Sequence, residues 1–153
     1  MTKLTTRRAA PGDLESLAFL FDAYRAFYRR PSDIDQARAF IGSRLENHDS
    51  VILVAEDPAG EISGFCQLYR SLCSVEGGPI YIVYDLFVRP AARRSGAGQA
   101  LLRAAEQYAF DHDAIRMDLR TEKSNFPAQK LYEAHGWIQD QRFFGYSKQP
   151  ARP

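Results

Sequence analysis

Cysteine is scarce in this chain: there are two, Cys66 and Cys73, and neither sits in a CxxC or Cys/His spacing suited to zinc or to redox exchange. No apolar signal core precedes them, so the expected setting is reducing and cytoplasmic, and a nucleophilic cysteine is not expected. Histidine is scarce too. His48, His112 and His135 lie far apart and match neither HxxxH nor HExxH, so no metal site is expected. No run approaches the roughly twenty apolar residues of a membrane span, and the opening MTKLTTRRAAPGDLE turns acidic too early for a targeting peptide. No membrane partner is expected. An excess of one charge is also missing, since 20 Lys and Arg stand against 19 Asp and Glu. That balance argues against a broad footprint for nucleic acid, and the pairs Arg7-Arg8 and Arg29-Arg30 read as solvated faces. Internal repeats, low-complexity tracts and linkers are absent as well, so the 153 residues read as a single domain, 1–153, large enough to bury a core without disulfides or metal.

What is present is a mixed α/β pattern. Leu4 to Arg8 forms a short strand, and Pro11-Gly12-Asp13 turns the chain into a helix with Asp13 or a neighbour as its cap. Leu14, Leu17, Ala18, Phe21 and Tyr24 keep the three-and-four spacing of one buried face until Pro31 stops it. Ser32 or Asp33 caps a second helix carrying Ile34, Ala37, Phe40, Ile41 and Leu45. Val51 to Ala55 and Ile62 to Leu68 read as a hairpin about Asp57-Pro58-Ala59-Gly60. Ile80 to Val88 is a third long strand, ended by Arg89-Pro90. A helix to about His112 and a strand from Ile115 to Leu119 then complete a strand, helix, strand crossover, which makes the two strands parallel. Asn125-Phe126-Pro127 opens a last helix that His135-Gly136 ends, and Trp137-Ile138 and Phe143 to Lys148 read as closing strands.

The crossover loop, Arg93-Arg94-Ser95-Gly96-Ala97-Gly98-Gln99, carries the strongest chemistry. Gly96 and Gly98 lack Cβ, so backbone N–H groups can turn toward phosphate oxygens while the following helix offers free donors and a positive dipole end. Arg93 and Arg94 can add charge-assisted bonds to a diphosphate. A solvated turn with two surface arginines is the bland alternative. The loop is not a P-loop, which needs GK[ST], nor a dinucleotide loop, which needs GxGxxG after the first strand.

With its neighbours, the loop resembles that of the Gcn5-related N-acetyltransferase (GNAT) superfamily. Arg93, Gly96 and Gly98 meet the family's pattern of Gln or Arg, two residues, Gly, one residue, then Gly or Ala; Leu86-Phe87-Val88 precedes it, and Asn125, Tyr132, Gly136 and Trp137 match a later segment. The likeness spans nearly the whole chain, with its specific motifs between Tyr84 and Trp137. It implies a mostly antiparallel sheet with one splayed parallel pair, about four helices, and direct acetyl transfer from acetyl-CoA to an amine without an acyl-enzyme. It further implies backbone contacts to the cofactor from Leu86, Phe87 and Val88, a free N–H near Leu86 or Phe87 polarising the thioester carbonyl, a further contact from Asn125, and a proton for the leaving thiolate from Tyr132. Phenol near pKa ~10 and thiol near ~8.5 are matched for that transfer. On its residues alone, Tyr132 reads rather as core filler or a surface aromatic, and Asn125 equally as a helix cap.

Asp85 is the carboxylate best placed to bind an ammonium or take its proton, with an ion pair to a neighbour as its structural alternative. Strand alternation puts Tyr81, Val83, Asp85 and Phe87 on one face and Ile82, Tyr84, Leu86 and Val88 on the other, so Tyr84 and Asp85 are not expected to share a pocket. Tyr24, Tyr28 and Arg25, near the end of the first helix, are candidates for the acceptor mouth, with core packing the expectation for Tyr24. The expected acceptor is a primary amine of a small molecule, such as a polyamine, amino acid or amine antibiotic. A protein amine, a non-catalytic acyl-CoA sensor and a nucleic-acid binder are the alternatives, and a homodimer is compatible.

Overall fold

The computed structural model describes residues 3–153. Apolar runs in the first 120 residues build a five-stranded sheet in which spatial order follows chain order. β1 (Thr5–Arg8), β2 (Val51–Glu56), β3 (Ile62–Cys73) and β4 (Gly78–Val88) pair antiparallel in turn. β5 (Arg116–Leu119) joins β4 in parallel, which requires a crossover, and α3 (Ala97–Asp111) supplies it.

Two helices precede the long strands, α1 (Leu14–Phe27) and α2 (Ile34–Asn47). Their apolar stripes bury Leu17, Leu20 and Ile41 against Ile52, Val54, Phe65 and Phe87 of the sheet. The opposite face is covered by α3, which buries Leu101, Leu102, Ala105 and Ala109 and sets Tyr108 edge-on to Tyr81 at 5.6 Å. Among the described residues no helix is long and apolar enough to cross a membrane.

Local chemistry fixes the joints. Asp33 caps α2, its Oδ1 accepting from the Gln36 N–H at 3.0 Å. Asp13 does not cap α1. Its carboxylate takes the Ala10 N–H at 2.7 Å and two bonds from Arg7, which also reaches Glu56; Arg7 therefore clamps β1 to β2 and the first turn rather than lying free in solvent. A bidentate partner offers more than a backbone donor does, so the ion pair wins the carboxylate.

From Thr121 the chain forms a second compact unit. Its helix α4 (Phe126–Ala134) is capped by Asn125, whose Oδ1 accepts from the Ala128 N–H at 3.3 Å, and ends at His135 with Gly136 left-handed at φ +83°. The closing strands expected at Trp137-Ile138 and Phe143 to Lys148 are not formed: among the described residues, those after Gly136 carry no ladder. β-propensity expresses the fit of a side chain to a half-buried pleated surface, and Phe144 and Tyr146 are each 89% exposed, with no such surface to fit.

Candidate active site

The site begins with an irregularity in β4. Gln67 pairs with Asp85 but Leu68 pairs with Val83, so Tyr84 is an extra residue opposite one step of β3. A bulge of this kind bends its strand and re-aims the following side chains. Tyr81 and Val83 therefore lie on the α3 face, whereas Asp85 and Phe87 lie on the α1 face, where Phe87 meets Tyr24 at 5.7 Å. This corrects the strict alternation expected from the sequence. Tyr84 also turns to the α1 side, its ring edge-on to Tyr69 at 5.3 Å, so Tyr84 and Asp85 do share a face.

The same bulge ends the parallel pairing. β5 is in register with β4 only from Ile80 to Val83, and β4 runs on to Val88 without it. Among the described residues the edge from Leu86 to Val88 that would face β5 carries no ladder, so the main-chain groups on that edge not already bonded, as the Val88 carbonyl is to Arg93, are free to pair with a bound chain. On the other side Gly64 lets β3 stay close, since a Cβ there would sit 2.6 Å from the Phe87 carbonyl oxygen.

Past Val88 a single turn at Pro90–Ala92 leads into the glycine loop. Arg94 is left-handed at φ +65°, and Gly96, the N-cap of α3, at φ +87°. A glycine cap has no side-chain acceptor, so the first-turn N–H groups of α3 remain aimed outward, and α3 is long enough for its dipole to favour an anion there. Ser95 Oγ accepts weakly from the Ala97 N–H at 3.4 Å. The two arginines differ: Arg93 bonds the Val88 carbonyl at 3.3 Å and lies over the Phe27 and Phe87 rings, while Arg94 is exposed beside the cradle.

Asp85 is the electrostatic centre of the α1 face. It is 8% exposed, and its carboxylate accepts from Gln67 Nε2 at 2.7 Å and from the Tyr24 hydroxyl. Burial pushes its pKa above the ordinary carboxylate range, and those two hydrogen bonds pull it back only partly. Burial, and after it the Asp85 charge, raises the pKa values of Tyr24, Cys66 and Tyr69. Among the described residues no cation pairs with it. Tyr28 joins through Tyr24, their rings edge-on at 5.0 Å. Tyr24 thus does two jobs, packing on Phe21, Phe65 and Phe87 while its hydroxyl reaches Asp85.

The first unit therefore brings together Tyr28, Tyr84, Asp85, the Leu86 to Val88 edge and the loop from Arg93 to Gln99. Asn125 and Tyr132 belong to the second unit, where Tyr132 is half-buried with its ring 6.2 Å from that of Trp137. Gln67 was not legible as a site residue, although a glutamine in the middle of the apolar run Ile62 to Leu68 was a signal, and Tyr24, a candidate for the acceptor mouth expected rather in the core, does both.

Known proteins bear on this geometry. The model of the acetyltransferase (GNAT) family matches residues 17–137. The chain is 48% identical over 143 residues to the uncharacterized N-acetyltransferase YhfO of Bacillus subtilis strain 168, covering 94% of this chain and 95% of that one. It is similar to a crystal structure of a probable acetyltransferase at TM-score 0.90 and 36% identity, over 97% and 99% of the two chains. It also shares its fold with aminoglycoside N-acetyltransferase AAC(6')-Iy in complex with CoA, at TM-score 0.81 and 19% identity, over 98% of this chain and 97% of that one. With the splayed β4 and β5 and the glycine loop before α3, these matches place the chain in the GNAT family, and it is an acetyltransferase of that type.

Proposed function

We propose that the chain transfers the acetyl group of acetyl-CoA to a primary amine of a small molecule, by direct attack within a ternary complex and as one domain spanning 1–153. Asp85 carries the reading: a buried carboxylate held by two neutral donors and, among the described residues, with no cation of its own. An alkylammonium entering between Tyr28 and Tyr84 supplies that cation. Asp85 then takes a proton, directly or through water, and the neutral amine forms a C–N bond at the thioester carbon while the carbonyl electrons move to oxygen. The N–H of Leu86 or Phe87 stabilises that oxygen. Collapse breaks the C–S bond, the thiolate takes a proton from Tyr132, a role resting on the family resemblance of its position, and the second proton of the attacking nitrogen passes through solvent to restore the Tyr132 phenol, leaving a neutral amide.

The cradle fits the diphosphate of the cofactor. Left-handed Arg94 and Gly96 and the side-chain-free cap of α3 offer N–H groups from Ser95 to Gln99, with Arg93 and Arg94 as flanking charges. Leu86, Phe87 and Val88 hold the pantetheine arm through main chain, and the family resemblance of their positions assigns further cofactor contacts to Asn125 and Tyr132. Polyamines, amino acids and amine antibiotics remain the acceptor classes to compare.

An acceptor screen with acetyl-CoA, following free thiol, tests the reading. Amine-dependent thiol release is expected; cofactor binding with no release above hydrolysis for any amine replaces it with an acyl-CoA sensor. Tyr132→Phe is expected to keep cofactor affinity and lower kcat by about 10²-fold. Unchanged turnover removes Tyr132 from the mechanism.

A further inference from the structure

Asp85 is held from behind by a chain of side chains that belongs to no surface. Ser50, just ahead of β2 and 8% exposed, donates its hydroxyl to Gln67 Oε1 at 2.8 Å. Gln67, fully buried on β3, donates Nε2 to Asp85 Oδ2 at 2.7 Å. A glutamine amide has one donor end and one acceptor end, so its orientation decides whether it attracts or repels a carboxylate. The Asp85 carboxylate, which can only accept, sets that orientation, and the Ser50 hydroxyl then satisfies the acceptor end of the amide. Were the amide reversed, two oxygens would face each other in a buried place, where an unsatisfied polar group is most costly. We propose that Ser50 and Gln67 are positioning residues for acetyl transfer, a buried relay that holds the Asp85 carboxylate ready for the incoming ammonium. This rests on the reading of Asp85 given above.

The other titratable groups that interact with Asp85 are Tyr24 from α1, which Tyr28 adjoins, and Cys66 and Tyr69 from β3. All are neutral as they stand, and Arg44, which bonds the Tyr69 hydroxyl, is paired with Asp49 at 2.7 Å. The amide N–H of Gln67 therefore supplies, with the Tyr24 hydroxyl, one of the two hydrogen bonds among the described residues that favour the charged carboxylate.

The test titrates the Asp85 side-chain carboxyl by ¹³C NMR, its signal identified by loss in Asp85→Asn, alongside the pH profile of kcat/KM. Gln67→Leu is expected to raise the Asp85 midpoint by about one to two pH units, the effect of one charge-assisted bond, and to move the acid limb of kcat/KM with it. Ser50→Ala shifts both the same way by less, and Ser50→Thr, which keeps the hydroxyl, restores the wild-type midpoint. A folded Gln67→Leu with an unmoved midpoint overturns the relay, as does an equal shift in Ser50→Ala and Ser50→Thr. Should Gln67→Leu not fold, the two Ser50 variants decide alone. Asp85→Asn with full turnover instead overturns the underlying reading of Asp85, whereas its inactivity beside unmoved midpoints overturns the relay only.

Discussion

A carboxylate costs most where water cannot reach it, and Asp85 sits in such a place with nothing but neutral donors around it. Replacing it with Asn keeps a polar group of the same shape for Gln67 and Tyr24 while removing the proton acceptor. Asp85→Asn is expected to fold, to bind acetyl-CoA as the wild type does, and to lose about 10²- to 10⁴-fold in kcat, measured by thiol release. Turnover within threefold of wild type would rule out the base. Its neighbour Cys66 is fully buried, and burial together with the Asp85 charge pushes its thiol well above the ordinary range. Cys73 is half-buried and lies 3.6 Å from an Arg116 nitrogen. Native-state alkylation followed by mass spectrometry should therefore modify Cys73 and spare Cys66. At this scale the sequence was informative where chemistry is local. Asp85 stood out as a charge inside an apolar strand, and Tyr24 as a candidate for the acceptor mouth, but Gln67 became a site residue only through a partner 18 positions away, which no spacing rule connects.

Among elements, β4 does the most work. Its length and its end at Arg89-Pro90 were readable from β-branched residues and proline, and so was its parallel partner, because a helix stood between them. The bulge at Tyr84 was not readable, since it arises from the register with β3, and it reverses the faces of everything after it. The closing segment failed in the opposite sense: Phe143, Phe144 and Tyr146 have strand-like character, but a strand also needs a ladder and a surface. The loop before α3 shows local rules succeeding. Gly96 meets no atom within 4 Å of a virtual Cβ, so it is glycine for its φ of +87° and not for space. Gly96→Ala is expected to cost about 1–2 kcal/mol of stability by denaturant titration and to weaken CoA binding in calorimetry, because the strained cap turns its N–H groups away. A variant with wild-type CoA affinity would show that the cradle does not depend on this conformation.

For the molecule as a whole, the core and the candidate site are one structure. Phe65 is fully buried and touches Phe21, Tyr24 and Phe87, the last two of which border Asp85, so the packing that stabilises the α1 face also encloses a charge that opposes it. Linkage gives this conflict a sign. The Asp85 pKa is raised in the folded state, so the folded chain holds that proton more tightly than the unfolded chain. Stability from this group is greatest below the ordinary carboxylate range, falls as pH climbs from the unfolded to the raised folded value, and is level beyond it. Asp85→Asn has no such proton. Thermal melts of both proteins from about pH 4 to pH 8 should show the variant gaining on the wild type as pH rises through that window, then keeping a constant advantage. A stabilising substitution that abolishes turnover is what a strained functional site predicts. A difference in melting temperature that stays flat from pH 4 to 8 would mean that the buried charge is not opposed by the fold, and the placement of Asp85 would then reflect packing alone.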